Sequence, residues 1–294
     1  MNIGFIGTGV MGHAMVEHLL AAGHTVFVYN RTQEKTDDLI QKGAIWQATP
    51  QEVAQKAEII CTMVGYPQDV EEIYYGTKGI FLADVQDKLL IDFTTSTPSL
   101  AEKIAQTAQE QQAQSLDAPV SGGDLGAKNA TLTIMVGGVK EAYERALPLF
   151  EIIGKTYQLH GDPGKGQHTK MANQIMIAGT MTGMVEMLAY AKQAGLDLPK
   201  VMETLGGGSA SNWSMLNYGP RILKEDYSPG FFVKHFIKDL KIALDEAKQM
   251  KLNLPATTLA EKLYEQLADQ GFENEGTQAL IRLYWQDGKK TEND

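Results

Sequence analysis

Positive charge is scarce in this 294-residue chain, cysteine is nearly absent, and residues at metal-ligand spacing are missing. Each shortage closes off a class of function. With 26 Lys and Arg against 36 Asp and Glu, the net charge is −10. That argues against binding nucleic-acid phosphates or an anionic membrane surface. The lone Cys61 allows no internal disulfide and points to a reducing, cytoplasmic setting. His13, His18, His24, His160, His168 and His235 are scattered, with no cluster of His, Cys and acids at ligand spacing, so no metal is expected. The uncharged segment from Met171 to Val185 is too short to span a bilayer and reads as a core helix. No signal peptide is expected, because Asn2 leads straight into a strand. Internal repeats and low-complexity tracts are not evident.

What is present is ordinary bulk and unusual pattern. A hydrophobic content of 43% and a charged content of 21% suit a globular chain long enough for one large domain or two ordinary ones. Ile3-Gly4-Phe5-Ile6 reads as a buried strand, followed at once by Gly7-Thr8-Gly9-Val10-Met11-Gly12. In a G-x-G-x-x-G turn the first glycine turns the chain and the second lets a pyrophosphate approach the backbone. The third lets helix and strand pack closely, with the phosphates over the helix N-terminus. A helix over 11–22, Gly23 as its cap and a strand over 25–29 complete the unit, which makes dinucleotide binding the expectation. Where NAD sites usually place an acid after the second strand, this chain has Asn30-Arg31-Thr32. An Arg with two neutral donors suits a 2′-phosphate, so NADP(H) is expected over NAD(H).

Alternating units continue. Thr49-Pro50-Gln51-Glu52 is a capping box with Pro at the first helical position. The apolar strand 58–64 brings Met63 and Val64 to the edge that should face the cofactor. The strand 89–93 runs into Thr94-Thr95-Ser96-Thr97-Pro98, whose hydroxyls serve either to cap the next helix or to meet the cofactor ribose. Further strands are expected over 115–119 and 131–136, then a helix over 141–153 that Pro148 should kink or divide. Between those two strands, Asp117-Ala118-Pro119-Val120-Ser121-Gly122-Gly123 sets consecutive amides beside glycines and a hydroxyl, a small concavity that fits a carboxylate.

From Gly166 to about Ala194 the sequence predicts one helix on the order of 42 Å long. Lys170, Asn173 and Gln174 stand at i, i+3 and i+4 and so share a face. Glycines at 164 and 166 begin this helix, where a close ligand could be admitted. Everything beyond Gly195 reads helical, over 198–205, from Phe231 onward, over 255–270 and over 276–286, before a polar tail. The domain expectation is therefore a dinucleotide-binding α/β unit over 1–162 and an all-α substrate and oligomerisation unit over 163–288. A tail over 289–294 would follow, with the long helix joining the two.

Four motifs now stand in order: Gly7-x-Gly9-x-Met11-Gly12, Asp117 to Gly123, Gly166-Gln167-x-x-Lys170-x-x-Asn173-Gln174, and Lys238-Asp239-Leu240. On them the chain resembles the β-hydroxyacid dehydrogenase family over nearly its whole length. That resemblance implies a Rossmann-type domain followed by an all-α domain. It also implies hydride exchange between NAD(P) and a small hydroxy acid or its semialdehyde. Lys170 would be the acid/base; Ser121, Gly122, Gly123, Asn173 and Gln174 would meet the substrate; Thr95 and Lys238 would lie by the nicotinamide. Family members that pair through the helical half imply a homodimer or homotetramer. Many members carry Asn where this chain has Gln174. The residues a 6-phosphogluconate site would need are replaced by Asn173, Gln174, Ile177 and Ala178. Two alternatives stand beside this reading: a non-catalytic NADPH-binding regulator, and an imine reductase-like enzyme, which usually lacks the Lys.

Overall fold

The computed structural model describes residues 1–285, which fall into two compact units, one ending at Lys170 and one beginning at Met171. The expected tail over 289–294 lies outside the described residues.

The first unit alternates strand and helix. In chain order it runs β1 (Asn2–Ile6), α1 (Val10–Ala21), β2 (Thr25–Tyr29), α2 (Asp37–Gln41), β3 (Ile45–Trp46), α3 (Pro50–Lys56), β4 (Ile59–Thr62) and α4 (Pro67–Tyr75). Then come β5 (Leu89–Asp92), α5 (Pro98–Glu110), β6 (Gln114–Asp117), β7 (Val120–Ser121), α6 (Gly123–Lys128), β8 (Leu132–Gly138), α7 (Lys140–Ile153) and β9 (Gly154–Leu159). The sheet order is β3-β2-β1-β4-β5-β6-β8-β7, with β9 on β8. From β3 to β6 every pairing is parallel, while β8 runs antiparallel to β6 and to β7. Parallel strands covered on both faces should read as near-continuous apolar runs. β4 and β5 do so, being buried at every position. Ile3, Phe5 and Phe93 belong to one apolar cluster, Ile6, Ile60 and Leu90 to another. Each fully buried side chain of this size contributes about 1.5–3 kcal/mol.

Helix starts obey their caps. Thr49 Oγ1 accepts from Glu52 N–H at 3.1 Å, and the Glu52 carboxylate accepts from Ala48 N–H at 3.0 Å, so the box closes one residue earlier than the expected pattern. Of the Thr94–Thr97 hydroxyls, Thr97 caps α5 by accepting from Leu100 N–H, and Thr94 accepts from Val64 N–H. Pro148 does not divide α7. Ala142, Ala146, Leu149, Phe150 and Ile153 bury one face on both sides of it.

The second unit is helical: the remainder of α8 (Lys165–Gln193), α9 (Leu198–Gly206), α10 (Trp213–Leu223), α11 (Val233–Gln249) and α12 (Pro255–Leu267). Asn212 caps α10 by accepting from Met215 N–H at 3.0 Å. Phe236 on α11 meets Tyr264 on α12 edge-on at 4.9 Å, and Tyr264 donates to Thr277 O. The last expected helix, over 276–286, is a 3₁₀ segment, Thr277–Leu283. Thr277 to Ile281 are buried on every side of it. α12 stops at Leu267 instead of near 270; a widened turn follows, with Gly271 at φ 90°. An α/β Rossmann-type domain followed by helices, with one 29-residue helix running from the first into the second, is thus the architecture. Among the described residues no helix is long and apolar enough to cross a membrane.

Candidate active site

Along β2-β1-β4-β5 the loops after the C-terminal ends carry the expected cofactor residues. Gly7, at φ 98°, donates to Tyr29 O, and a Cβ on it would lie 2.2 Å from Met63 O. A Cβ on Gly12 would lie 2.0 Å from Gly7 O. Around Gly9, by contrast, a Cβ would meet nothing within 4 Å, and Val10 stands 57% exposed. α1 has no side-chain cap and no acid in its first turn, so its N-terminal amides face an open cradle. That cradle fits the pyrophosphate of a dinucleotide. Thr8 N–H donates to Asn30 Oδ1, and Asn30 Nδ2 donates to Thr32 O, so one amide ties the glycine turn to the loop after β2. The Arg31 side chain is 86% exposed and pairs with Asp69 at 3.2 Å.

Further along the sheet, β5 and β6 end in register partners, Asp92 and Asp117, both buried. Asp92 accepts from the Thr62 hydroxyl at 2.7 Å and from Thr94 N–H. Asp117 accepts from Gly164 N–H and from Gln167 N–H, each at 2.8 Å. Burial pushes the Asp117 carboxyl up to about 6; its backbone donors oppose the shift and the charge of Asp92 adds to it. Gln167, 0% exposed, accepts from Ser96 N–H at 3.0 Å and donates to Thr94 O at 2.8 Å. One turn on, Lys170 is 6% exposed and donates to Val120 O at 2.9 Å, one residue before Ser121. Gly122 and Gly123 take φ 128° and 63°.

The glycines that begin α8 do not admit a ligand. A Cβ on Gly166 would stand 2.5 Å from both Asp117 O and Met135 O, so sheet backbone already fills that space. This corrects the expectation drawn from their spacing.

In the second unit Asn173, Gln174, Asp239 and Lys238 form a polar chain. Asn173 Nδ2 donates to Gln174 Oε1 at 2.7 Å, and Gln174 Nε2 donates to Asp239 Oδ2 at 2.7 Å. Lys238 Nζ stands 3.1 Å from Asp239 Oδ1, in ion-pair and not hydrogen-bonding geometry. Gln174 is 0% exposed, with both amide ends spent on protein partners.

Comparison with known proteins decides what this arrangement belongs to. The NAD-binding domain of 6-phosphogluconate dehydrogenase matches residues 2–161, and the NAD-binding domain of NADP-dependent 3-hydroxyisobutyrate dehydrogenase matches 164–284. This chain belongs to the β-hydroxyacid dehydrogenase family. Relatives in it include an uncharacterised oxidoreductase of Bacillus subtilis, YkwC, 52% identical over 96% of this chain and 98% of its own. The 2-hydroxy-3-oxopropionate reductase of Escherichia coli is 38% identical over 96% of each. Among solved structures, Psf3 in complex with NADP⁺ and 2-OPP superposes with a TM-score of 0.89 at 28% identity, covering 96% of this chain and 99% of that one. As a β-hydroxyacid dehydrogenase, the chain is an NAD(P)-dependent oxidoreductase of the 3-hydroxyisobutyrate and tartronate semialdehyde type.

Sequence reasoning passed over Asp117, Gln167 and Asp239 as individual actors. A signal existed for the first: two successive strands, Leu89–Asp92 and Gln114–Asp117, both end in an acid. Scattered histidines also hid a cluster. His13, Glu17 and Asp38 bring ligand atoms within 4.8 Å of one another, and Lys42 ion-pairs with both carboxylates there.

Proposed function

We propose that this β-hydroxyacid dehydrogenase interconverts a small β-hydroxy acid and its semialdehyde, with NADP(H) preferred and Lys170 carrying the proton. One observation carries the reading: a buried ammonium, Lys170, held against Val120 O beside the Ser121-Gly122-Gly123 turn. The amides of that turn and the Ser121 hydroxyl hold the substrate carboxylate. A bound nicotinamide supplies or accepts the hydride. In reduction Lys170 gives its proton to the carbonyl oxygen; in oxidation it takes the hydroxyl proton. Asn173 holds the substrate hydroxyl, and Gln174 orients Asn173 in place of a direct contact of its own. Thr95 and Lys238 are assigned to the nicotinamide end by family resemblance.

The cofactor preference rests on Arg31, with Asn30 and Thr32, where an acid would otherwise stand. Arg31→Asp should weaken NADPH while sparing NADH; equal efficiency with both cofactors in the unaltered protein would sink the preference. The chain is further assigned to the cytoplasm. It is also assigned to a homodimer or homotetramer, supported by Met176, Trp213 and Leu216, which expose 68%, 56% and 55% of their surface on the helical unit.

The test is turnover of NADPH with tartronate semialdehyde, glyoxylate and succinic semialdehyde, and of NADP⁺ with 3-hydroxyisobutyrate. Lys170→Ala should cut kcat by about 10²–10⁴ while leaving NADPH affinity within a few fold. Lys170→Arg should rescue poorly, because a guanidinium does not give up its proton near neutral pH. An active Arg variant would end the acid/base assignment.

A further inference from the structure

Helix α8 begins with an anomaly. The first intrahelical bond, from His168 N–H to Gly164 O, makes Gly164 the cap residue, and glycine has no side chain to offer the first amides. A single carboxylate from 47 residues earlier does the work. Asp117 accepts from the cap residue's own N–H with one oxygen and from the third helical N–H, Gln167, with the other. Those are the two donors that a capping box normally satisfies with two local side chains. Local capping would have cost nothing in burial. Using Asp117 instead places a carboxylate beside the buried Asp92, an arrangement that desolvation and like charge both oppose.

Two glycines make the approach possible. A Cβ on Gly137 of β8 would lie 2.5 Å from Asp117 Oδ1 and 2.6 Å from Gly166 N, so helix and sheet backbones touch directly there. The buried Gln167 side chain then binds the loop after β5 through Ser96 N–H and Thr94 O, bracketing Thr95 from both sides. Four hydrogen bonds therefore fix the axial position and the rotation of the first turn. Lys170 follows Gln167 by three residues, on the same face.

We propose that Asp117 and Gln167 are positioning residues, which hold the first turn of α8 on the ends of β5 and β6 and thereby set where the Lys170 amine stands. This rests on the reading of Lys170 as the acid/base. The same bonds would place Thr95 relative to that amine, so a loss of either anchor displaces two members of the site together. A displacement on the order of 1 Å at a reacting group costs about 10²-fold in rate.

The experiment compares Asp117→Asn and Gln167→Met, each alone and combined with Lys170→Ala, in the full-length protein. Four quantities are measured: kcat and KM with whichever semialdehyde turns over, NADPH binding by fluorescence, and thermal unfolding. In the Lys170 background each single change should lower kcat by roughly 10- to 100-fold, with NADPH affinity within about threefold and cooperative unfolding retained. In the Lys170→Ala background the same changes should lower the residual rate less than about twofold, since residues that act through one group are not additive. If Asp117→Asn fails to fold, Gln167→Met decides by the same criteria, because it keeps the side-chain volume and removes only the two bonds to the β5 loop. Unchanged kcat, equal losses in both backgrounds, or collapse of the fold in both variants would each overturn the proposal. Full activity of Lys170→Ala alone would remove the acid/base reading, and this proposal with it; that failure is separately visible in the single variant.

Discussion

Helices α1 and α8 both begin at spaced glycine pairs, and the two pairs do opposite things. At α1, Gly9 opens onto empty space and the first amides have no cap. At α8, Gly166 is pressed against the backbones of β6 and β8, and the first amides are taken by Asp117. Glycine removes a side chain in both places. What moves into the gap differs: a ligand can approach the first, whereas the sheet itself has already occupied the second. Glycine spacing before a helix therefore reports close approach without reporting what approaches.

The sharpest way to break this contrast is an added methyl. Gly166→Ala should cost about 3 kcal/mol or more, because the atoms it meets are backbone and cannot rotate away. The readout is denaturant unfolding; a variant as stable as the unaltered chain would refute the contact. The next effect is on pH, and only the α8 start should show it. The Asp117 carboxyl is raised to about 6 from 3.8. Its contribution to stability is therefore fully present below about pH 3.8 and is lost as pH rises through about 6. The stability of the unaltered chain relative to Asp117→Asn should thus improve as pH falls from 7 towards 4, by an amount on the order of 3 kcal/mol at full protonation. A difference independent of pH would mean that the carboxyl is not raised.

At α1 the same methyl should leave folding alone. Gly9→Ala is expected to unfold within a degree or two of the parent while binding NADPH at least about tenfold more weakly, since the methyl enters the pyrophosphate cradle. Scanning calorimetry checks the first half and calorimetric titration the second, and undiminished NADPH binding would remove the cradle from the cofactor site. The smallest effect belongs to an ordinary cap. Thr49→Ala should cost about 1 kcal/mol with catalysis untouched, a scale against which the shared carboxylate at α8 can be judged.

How far the sequence reveals this follows from where each interaction closes. The alternating units, the long helix over 166–194 and the capping box at Thr49 depend on neighbours in the chain, so periodicity and cap residues expose them. β3 and β7, of two residues each, give no run long enough to register, and β9, though six residues long, is mostly polar and exposed and shows no apolar run. Pro148 is misleading because burial of the flanking face outweighs one missing amide. The glycine turn and Lys170 stand in local motifs, which is why the sequence singles them out. The bonds of Asp117 to Gly164, Gln167 to Thr94 and Gln174 to Asp239 carry no such mark. Each joins residues at least 47 apart, and nothing in an Asp or a Gln says which distant amide it will meet.

Asn30 carries a lesson for anyone re-engineering the cofactor preference. If the preference proposed above is to be reversed, an acid would be installed at the end of the second strand, and Asn30 is the obvious target. Yet its side chain is a brace: it accepts from Thr8 in the glycine turn and donates to Thr32 beyond the strand. An aspartate there would keep the first bond and turn the second into a carboxylate facing a carbonyl. A redesign should leave that brace intact and work through Arg31, whose exposed guanidinium meets Asp69 at the surface.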